Sequence, residues 1–181
     1  MSNPELTTAE PLTFEDAIAQ TQTLLDGMEQ GSISDGEVEA AIASLVSSEN
    51  GARGFFVTYL SDPRPLADQP SDAVIQALQT SPDIVAELLV KNLAMSSAMA
   101  ITHRRNQNEE MAQGSDQVRS RTSHLIQQLQ IPLIAERAQK LHESAVTGEG
   151  EYQAFLKRWG YDAEQRDVIQ DVMEAVFNPQ P

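Results

Sequence analysis

The residues of this sequence best suited to bind an anion lie between positions 103 and 121, in a chain that is otherwise acidic. Arginine side chains bind carboxylates and phosphates through paired hydrogen bonds. If two helices meet here as a hairpin, the basic groups converge, and a histidine with a glutamate beside them would suit metal binding or acid–base chemistry. The candidate binding residues are His103, Arg104, Arg105, Glu110, Arg119 and Arg121. The alternative is that these arginines pair with carboxylates of the chain itself, either Glu109, Glu110 and Asp116 or those of the acidic N-terminal lobe.

A second candidate site is the segment 26–37, which has the length of a calcium-binding EF-hand loop. Its first, sixth, eighth and twelfth positions hold Asp26, Gly31, Ile33 and Glu37. Met28 occupies the third position, where calcium needs an oxygen ligand. The competing interpretation is that Gly31 ends one helix while Ser34 and Glu37 form the capping box of the next. Asp26 and Glu37 are the carboxylates that a calcium site would use.

The motifs of common enzyme and cofactor classes do not occur in the sequence. With no cysteine, the chain has no disulfide, no thiolate zinc site, no iron–sulfur cluster and no cysteine nucleophile. It also lacks the HExxH zinc motif, the Glu-x-x-His pair of di-iron bundles, the Walker A sequence and the GxSxG elbow. We therefore expect no cofactor and no catalytic residue, although enzymatic use of the cluster at 103–121 stays open.

The charge is large and unevenly distributed. The chain carries 27 acidic and 12 basic side chains, a net charge of −15. Residues 1–90 contribute −13, from 15 acidic and 2 basic residues, and residues 91–181 contribute −2, from 12 and 10. A chain with this charge is not expected to bind the phosphates of duplex nucleic acid. The acidic first half is either a solvated surface or a docking face for a basic protein partner.

Helix signals recur along the chain, whereas the alternation typical of strands is almost missing. We predict an all-α fold of seven to nine helices, in a bundle or orthogonal array around a long central helix over about residues 82–111. At 55–60 the residue types favour a strand, but the context favours a short helix, which we expect. Asn50 and Gly51 are expected to end the preceding helix. Gly114 with Ser115 should interrupt the chain after the central one, unless a helix runs through them at a cost of about 1 kcal/mol for the glycine.

The central helix is apolar on most sides, but it is not expected to span a membrane because charged residues lie within it and just after it. Glu87 and Lys91, one helical turn apart, should pair on an exposed strip. Farther along, four apolar side chains should lie together on one side of a short helix: Tyr152, Phe155, Leu156 and Trp159.

Prolines at 63, 65 and 70 mark the best internal linker. We divide the chain into a flexible acidic tail at 1–12, an N-terminal helical lobe at 13–80, a C-terminal helical bundle at 81–177 and a flexible tail at 178–181. Met1 to Pro11 has neither the basic nor the apolar region of a signal peptide. We expect a cytoplasmic protein.

Two parts of the chain resemble known proteins. The sequences SPDIVAELLVKNLAMSSAMAITHRRNQNEEMAQGS at 81–115 and FLKRWGYDAEQRDVI at 155–169 resemble conserved uncharacterised all-helical proteins of cyanobacteria, a resemblance that implies no activity. Residues 13–54, with LLDGMEQGSISDGEVEAAIASL, resemble the helical N-terminal domain of anthranilate phosphoribosyltransferase-like enzymes. The second resemblance implies a helical lobe only, because that family's glycine-rich phosphate loops do not follow downstream.

We predict a non-enzymatic protein-interaction adaptor or assembly factor, because the charge is unevenly distributed, the chain has many short capped helices, and no set of catalytic residues is found in the sequence. The alternative is a small-molecule or anion-binding protein, or an enzyme, that uses the His/Arg/Glu cluster at the end of the central helix. A third hypothesis is the degenerate calcium site at 26–37. An apolar helix face that is left uncovered would indicate a homodimer.

Overall fold

The computed structural model describes residues 10–181, and this range is 78% helical, with nine α-helices and no β-strand. The all-α prediction is confirmed. The helices are α1 (Phe14–Gln30), α2 (Asp35–Val46), α3 (Glu49–Ser61), α4 (Asp72–Leu78), α5 (Pro82–Arg105), α6 (Glu109–Gln128), α7 (Pro132–Thr147), α8 (Gln153–Trp159) and α9 (Ala163–Phe177). A short 3-10 helix, Pro65–Ala67, lies between α3 and α4. Residues 1–9 of the predicted flexible tail lie outside the described range.

Local capping signals begin and end several helices where the sequence predicts them. The hydroxyl of Ser34 accepts a hydrogen bond from the backbone N–H of Glu37 at 3.2 Å, and the Glu37 carboxylate accepts one from the Ser34 N–H at 2.8 Å. Asp162 and Gln165 form the same reciprocal box at the start of α9. Gly31 ends α1 with φ of 64°, a left-handed conformation that glycine adopts at little cost.

The predicted central helix over 82–111 is too long, because two helices meet at residues 106–108. Gln107 takes φ of 57°, which a right-handed helix cannot accommodate. The Asn108 side chain then accepts a hydrogen bond from the Met111 N–H at 3.2 Å and caps α6. Gly114 and Ser115 do not interrupt the chain but lie inside α6, since a helix tolerates a glycine at a cost of about 1 kcal/mol.

The helix expected at 55–60 is confirmed and forms part of α3. Phe55 stacks on Tyr59 with ring centroids 5.1 Å apart and meets Phe56 edge-on at 5.3 Å, and all three rings are buried. This burial outweighs the strand propensity of the segment. The expected helix end at Gly51 is wrong, because α2 ends at Val46 and Gly51 lies within α3.

The central position belongs to α5, which packs against α3, α6, α7 and α9, while α1 packs on α3 and α2 on α4. One apolar core runs from Ala17 to Met173, and separate folding of 13–80 and 81–177 stays a prediction. In the described range, α5 alone is long and apolar enough to cross a membrane, but 56% of its most apolar window is buried inside the protein. This burial is consistent with a soluble protein whose core helix is apolar.

Candidate functional site

A long groove crosses the surface where α3, α5, α6 and α8 meet. It consists of two adjoining cavities of about 460 and 450 Å³ that share four lining residues, Ser61, Asn92, Met95 and Val118. We call this feature the α3–α5 groove. The first cavity is lined mainly by apolar side chains. In the second, polar side chains are more numerous, but most of the exposed lining surface is apolar, the character expected of a surface that binds apolar groups.

Two helices supply the floor of the α3–α5 groove. From α3 come Phe56 and Leu60, and from α5 come Leu88, Met95 and Met99. Helices α3 and α6 both pack against α5, and their outer side chains form the walls. The short helix α8 closes one end with Phe155 and Trp159.

The groove exposes an unusual share of large apolar side chains. In the described range four such residues are strongly exposed: Val57 (49%), Met111 (53%), Val146 (56%) and Trp159 (46%). Three of them line the groove, and only Val146, on α7, lies elsewhere. Single exposed apolar residues are ordinary on soluble proteins, but their concentration in one concavity marks a binding surface.

Three basic side chains lie at the α8 end of the groove, each over an aromatic ring. The guanidinium carbon of Arg53 is 5.2 Å from the centroid of the Phe14 ring. The Lys91 ammonium is 5.5 Å from the Phe155 ring, and the Arg158 guanidinium carbon is 5.8 Å from the Trp159 ring. Cations hold such positions through attraction to the ring face. The groove therefore combines an apolar floor with a positive end.

A half-buried polar network lies behind this positive end. Glu87 accepts hydrogen bonds from the Tyr152 hydroxyl at 2.8 Å and from Arg137, and pairs with Lys91 at 3.0 Å. Burial alone would raise the pKa of Glu87, but the hydrogen bonds from Tyr152, Lys91 and Arg137 outweigh it and hold the pKa below its usual value. The expected Glu87–Lys91 pair is therefore present, but it is not on an exposed strip, because α7 and the start of α8 cover it.

The predicted basic cluster at 103–121 is divided among separate partners. Arg104 binds Asp116 at 2.6 Å and Glu109 at 3.2 Å, and Arg119 reaches the same Asp116 at 3.5 Å. The Arg104 guanidinium lowers the pKa of Asp116. Arg105 points away and pairs with Asp162 and Glu164 around the start of α9. These contacts match the alternative in which arginines pair with carboxylates of the chain.

Arg121 is buried, with only 2% of its side chain exposed. Its Nε donates to Asp68 at 2.8 Å, and its two terminal nitrogens donate to the carbonyl oxygens of Leu60 (3.0 Å), Asp62 (2.7 Å) and Arg64 (3.2 Å). These contacts fasten the end of α3 and the proline-rich linker to α6. The hydrogen bond from Arg121 lowers the pKa of Asp68.

Two of the six predicted binding residues, His103 and Glu110, line the α3–α5 groove. They lie at the end opposite Trp159, beside Met99 and Met111. Within residues 10–181 no group of three or more histidine, cysteine or acidic side chains is arranged to hold a metal ion.

The two carboxylates of the calcium hypothesis have other partners. Asp26 accepts a hydrogen bond from Arg64 at 2.7 Å, and Glu37 is bound in the capping box of α2. Arg64 also binds Glu29 and Asp62, so it links the end of α1 to the linker. This geometry gives the calcium hypothesis no support.

Sequence reasoning missed most of the groove. The apolar stripe on α8 was expected to face one side, and Tyr152 and Leu156 are indeed buried, but Trp159 points outward. The one available signal was composition: three of the six methionines, at 95, 99 and 111, line the groove. Nothing in the sequence marks Arg53 or Val57, because their importance depends on the packing of α3 against α5.

Comparison with curated proteins and with solved structures finds no match. Neither the cyanobacterial origin nor the resemblance to anthranilate phosphoribosyltransferase-like enzymes is confirmed. A comparison with protein families matches residues 13–176 to the family described as "Uncharacterised conserved protein UCP020893". The match extends from the N-cap of α1 almost to the end of α9, and so includes every residue of the groove described above. The chain belongs to this uncharacterised conserved family.

Proposed function

We propose that this protein is a non-enzymatic adaptor or assembly factor that binds a protein partner in the α3–α5 groove. The observation that carries the proposal is the gathering of Val57, Met111 and Trp159 along the two adjoining cavities of this groove. Leaving these side chains in water has a cost of about 25 cal/mol for each Å² of apolar surface, which a partner recovers by covering them. Aromatic residues and methionine are also the types enriched at protein interfaces.

The lining of the groove suits a flexible interface. Met95, Met99 and Met111 have unbranched side chains that adjust to the shape of a partner. Phe56 and Leu60, in contrast, belong to the buried core and keep the floor rigid. Because the floor is already rigid, only the side chains of the walls lose conformational entropy when a partner binds.

A second candidate is the binding of a small molecule or anion at the far end of the same groove. It is favoured by the placement of His103 and Glu110 in one cavity with Met99 and Met111. His103→Ala and Trp159→Ser separate the two functions, since a ligand held at the far end depends on His103 and a protein that fills the whole groove depends on Trp159.

Photo-crosslinking tests the proposed interface. The amino acid p-benzoylphenylalanine is placed at Val57, at Met111 or at Val146, and native extract is irradiated with each variant. Val146 is the matched control, because it is the equally exposed apolar residue outside the groove. We expect Val57 and Met111 to capture one common protein that Val146 does not. Equal products from all three positions would overturn the proposal.

The same experiment tests for a homodimer. Crosslinking from Val57 to a second copy of this chain would identify the groove as the dimer interface, and sedimentation velocity would then give twice the mass of the monomer. In that case the assembly would be homomeric, and the adaptor function would be rejected.

A further inference from the structure

The charged groups of the α3–α5 groove indicate which kind of partner fits it. We propose that the occupant is an amphipathic helix whose apolar face covers the groove and whose carboxylates lie at the end lined by Arg53, Lys91 and Arg158. This inference rests on the proposed function, because it names the partner class of the same surface.

The length and shape of the groove suit a helix. Along α5 the lining extends from Leu88 to His103, a distance of about 22 Å at 1.5 Å per residue, which equals about four helical turns of a partner. The exposed apolar side chains are spread along this length, with Trp159 near one end and Met111 near the other. A helix reaches such separated contacts with apolar residues one, two and three turns apart on one face.

The positive end is unusual for this protein. Three of the 12 basic residues line one cavity in a chain that has 27 acidic residues, and Glu49 is the one acidic residue among the described residues that line it. Lys91 is paired with Glu87. Within residues 10–181, however, neither Arg53 nor Arg158 forms an ion pair.

Arg53 and Arg158 are therefore available to a partner. Both are exposed, and each has a guanidinium held against an aromatic ring beside the groove, so little side-chain freedom is lost when a carboxylate binds. The chain as a whole repels anions, since its net charge is −15. Acidic groups of a partner would thus be favoured only where these local cations outweigh the negative potential of the whole protein. An acidic helix is therefore expected to place its carboxylates at this end of the groove.

A displayed library of peptides of about 16 residues, enough for four helical turns, tests the proposal on the full-length protein. We expect the selected peptides to be helical when bound, with apolar residues at i, i+3 or i+4, and i+7, and with glutamate or aspartate at one end. Selection of acidic sequences by so acidic a protein is not expected from its overall charge.

Charge reversal tests the location of the acidic end. We expect the double variant Arg53→Glu/Arg158→Glu to weaken binding of the selected peptide about tenfold, with a weaker dependence on salt. Lys157→Glu is the matched control for Arg158→Glu alone, because this exposed neighbour makes the same charge change outside the groove, and it should alter binding less than about twofold. Replacing the acidic residues of the peptide by lysine should restore binding to the double variant. Circular dichroism confirms that the variants are folded.

The outcomes separate the two proposals. If the selected peptides require Trp159 but carry no acidic residues, or are insensitive to the arginine reversals, the acidic helix is wrong and the protein-interaction groove stands. If no selected peptide loses affinity in Trp159→Ser, both are wrong.

Discussion

Replacing Arg121 by methionine removes the buried guanidinium that fastens α3 and the linker to α6, while preserving most of its volume. The variant loses one hydrogen bond to the half-exposed Asp68 and three to backbone carbonyls, at Leu60, Asp62 and Arg64. The bonds to Leu60 and Asp62 matter most, because carbonyls near the end of a helix have no partner within the helix. Leaving these two carbonyls without a partner costs about 1–3 kcal/mol each, or about 2–6 kcal/mol together, a large part of the 5–15 kcal/mol typical of a domain.

Urea unfolding followed by circular dichroism measures this loss as a change in the free energy of unfolding, and an unchanged urea dependence shows that the same surface is exposed. Asp68→Asn is the control. Since 50% of the Asp68 side chain is exposed, this change should cost no more than about 1 kcal/mol. If Arg121→Met also costs less than about 1 kcal/mol, the buried clamp does not stabilise the fold and the reasoning is wrong.

Two further predictions concern the fold. Gly54→Val should destabilise the protein by about 1–3 kcal/mol in urea unfolding, because a Cβ there would lie 2.4 Å from the Cβ of Ala17 and push α1 away from α3. Gly114→Ala is the comparison, and it should stabilise the protein by about 1 kcal/mol because a Cβ at Gly114 would have nothing within 4 Å. A smaller effect at Gly54 than at Gly114 would contradict the packing of α1 on α3. Glu87→Gln should cost about 1–3 kcal/mol near neutral pH, where the carboxylate is charged. Because the folded protein holds the pKa of Glu87 below its ordinary 4.5, the carboxylate stabilises the fold above that value and this contribution is lost as the pH falls through the folded pKa. The difference between the wild type and Glu87→Gln should shrink accordingly on acidification, and a constant difference would show that the charge is not involved.

The helical class and many helix ends could be predicted because they depend on local chemistry. Ser34 with Glu37, and the glycine at position 31, act through hydrogen bonds within a few residues, and each behaves in the structure as the sequence indicates. The helix over 55–60 was harder to predict, since strand-favouring residues become helical only through burial against their neighbours.

The groove could not be predicted because it is made by packing over long sequence distances. Val57 and Trp159 are separated by about 100 residues yet line one cavity, and periodicity alone assigns both to apolar faces. The break at Gln107 was also not predicted, because the pattern of residues 82–111 is typical of one continuous helix. The turn depends on the cap that Asn108 provides for α6. The arginines at 104 and 105 are adjacent, but they bind carboxylates on different helices.

Methionine methyl NMR gives the most direct measurement of whether a helical partner occupies the α3–α5 groove. Protein labelled with ¹³C at its methionine methyl groups is titrated with the tightest peptide from the displayed library. Binding in the groove predicts shifts at Met95, Met99 and Met111, with Met28 in α1 and the fully buried Met173 unchanged. Shifts confined to Met28 or Met173, or a saturated complex with no shift at the three groove methionines, would contradict an interaction surface at this site.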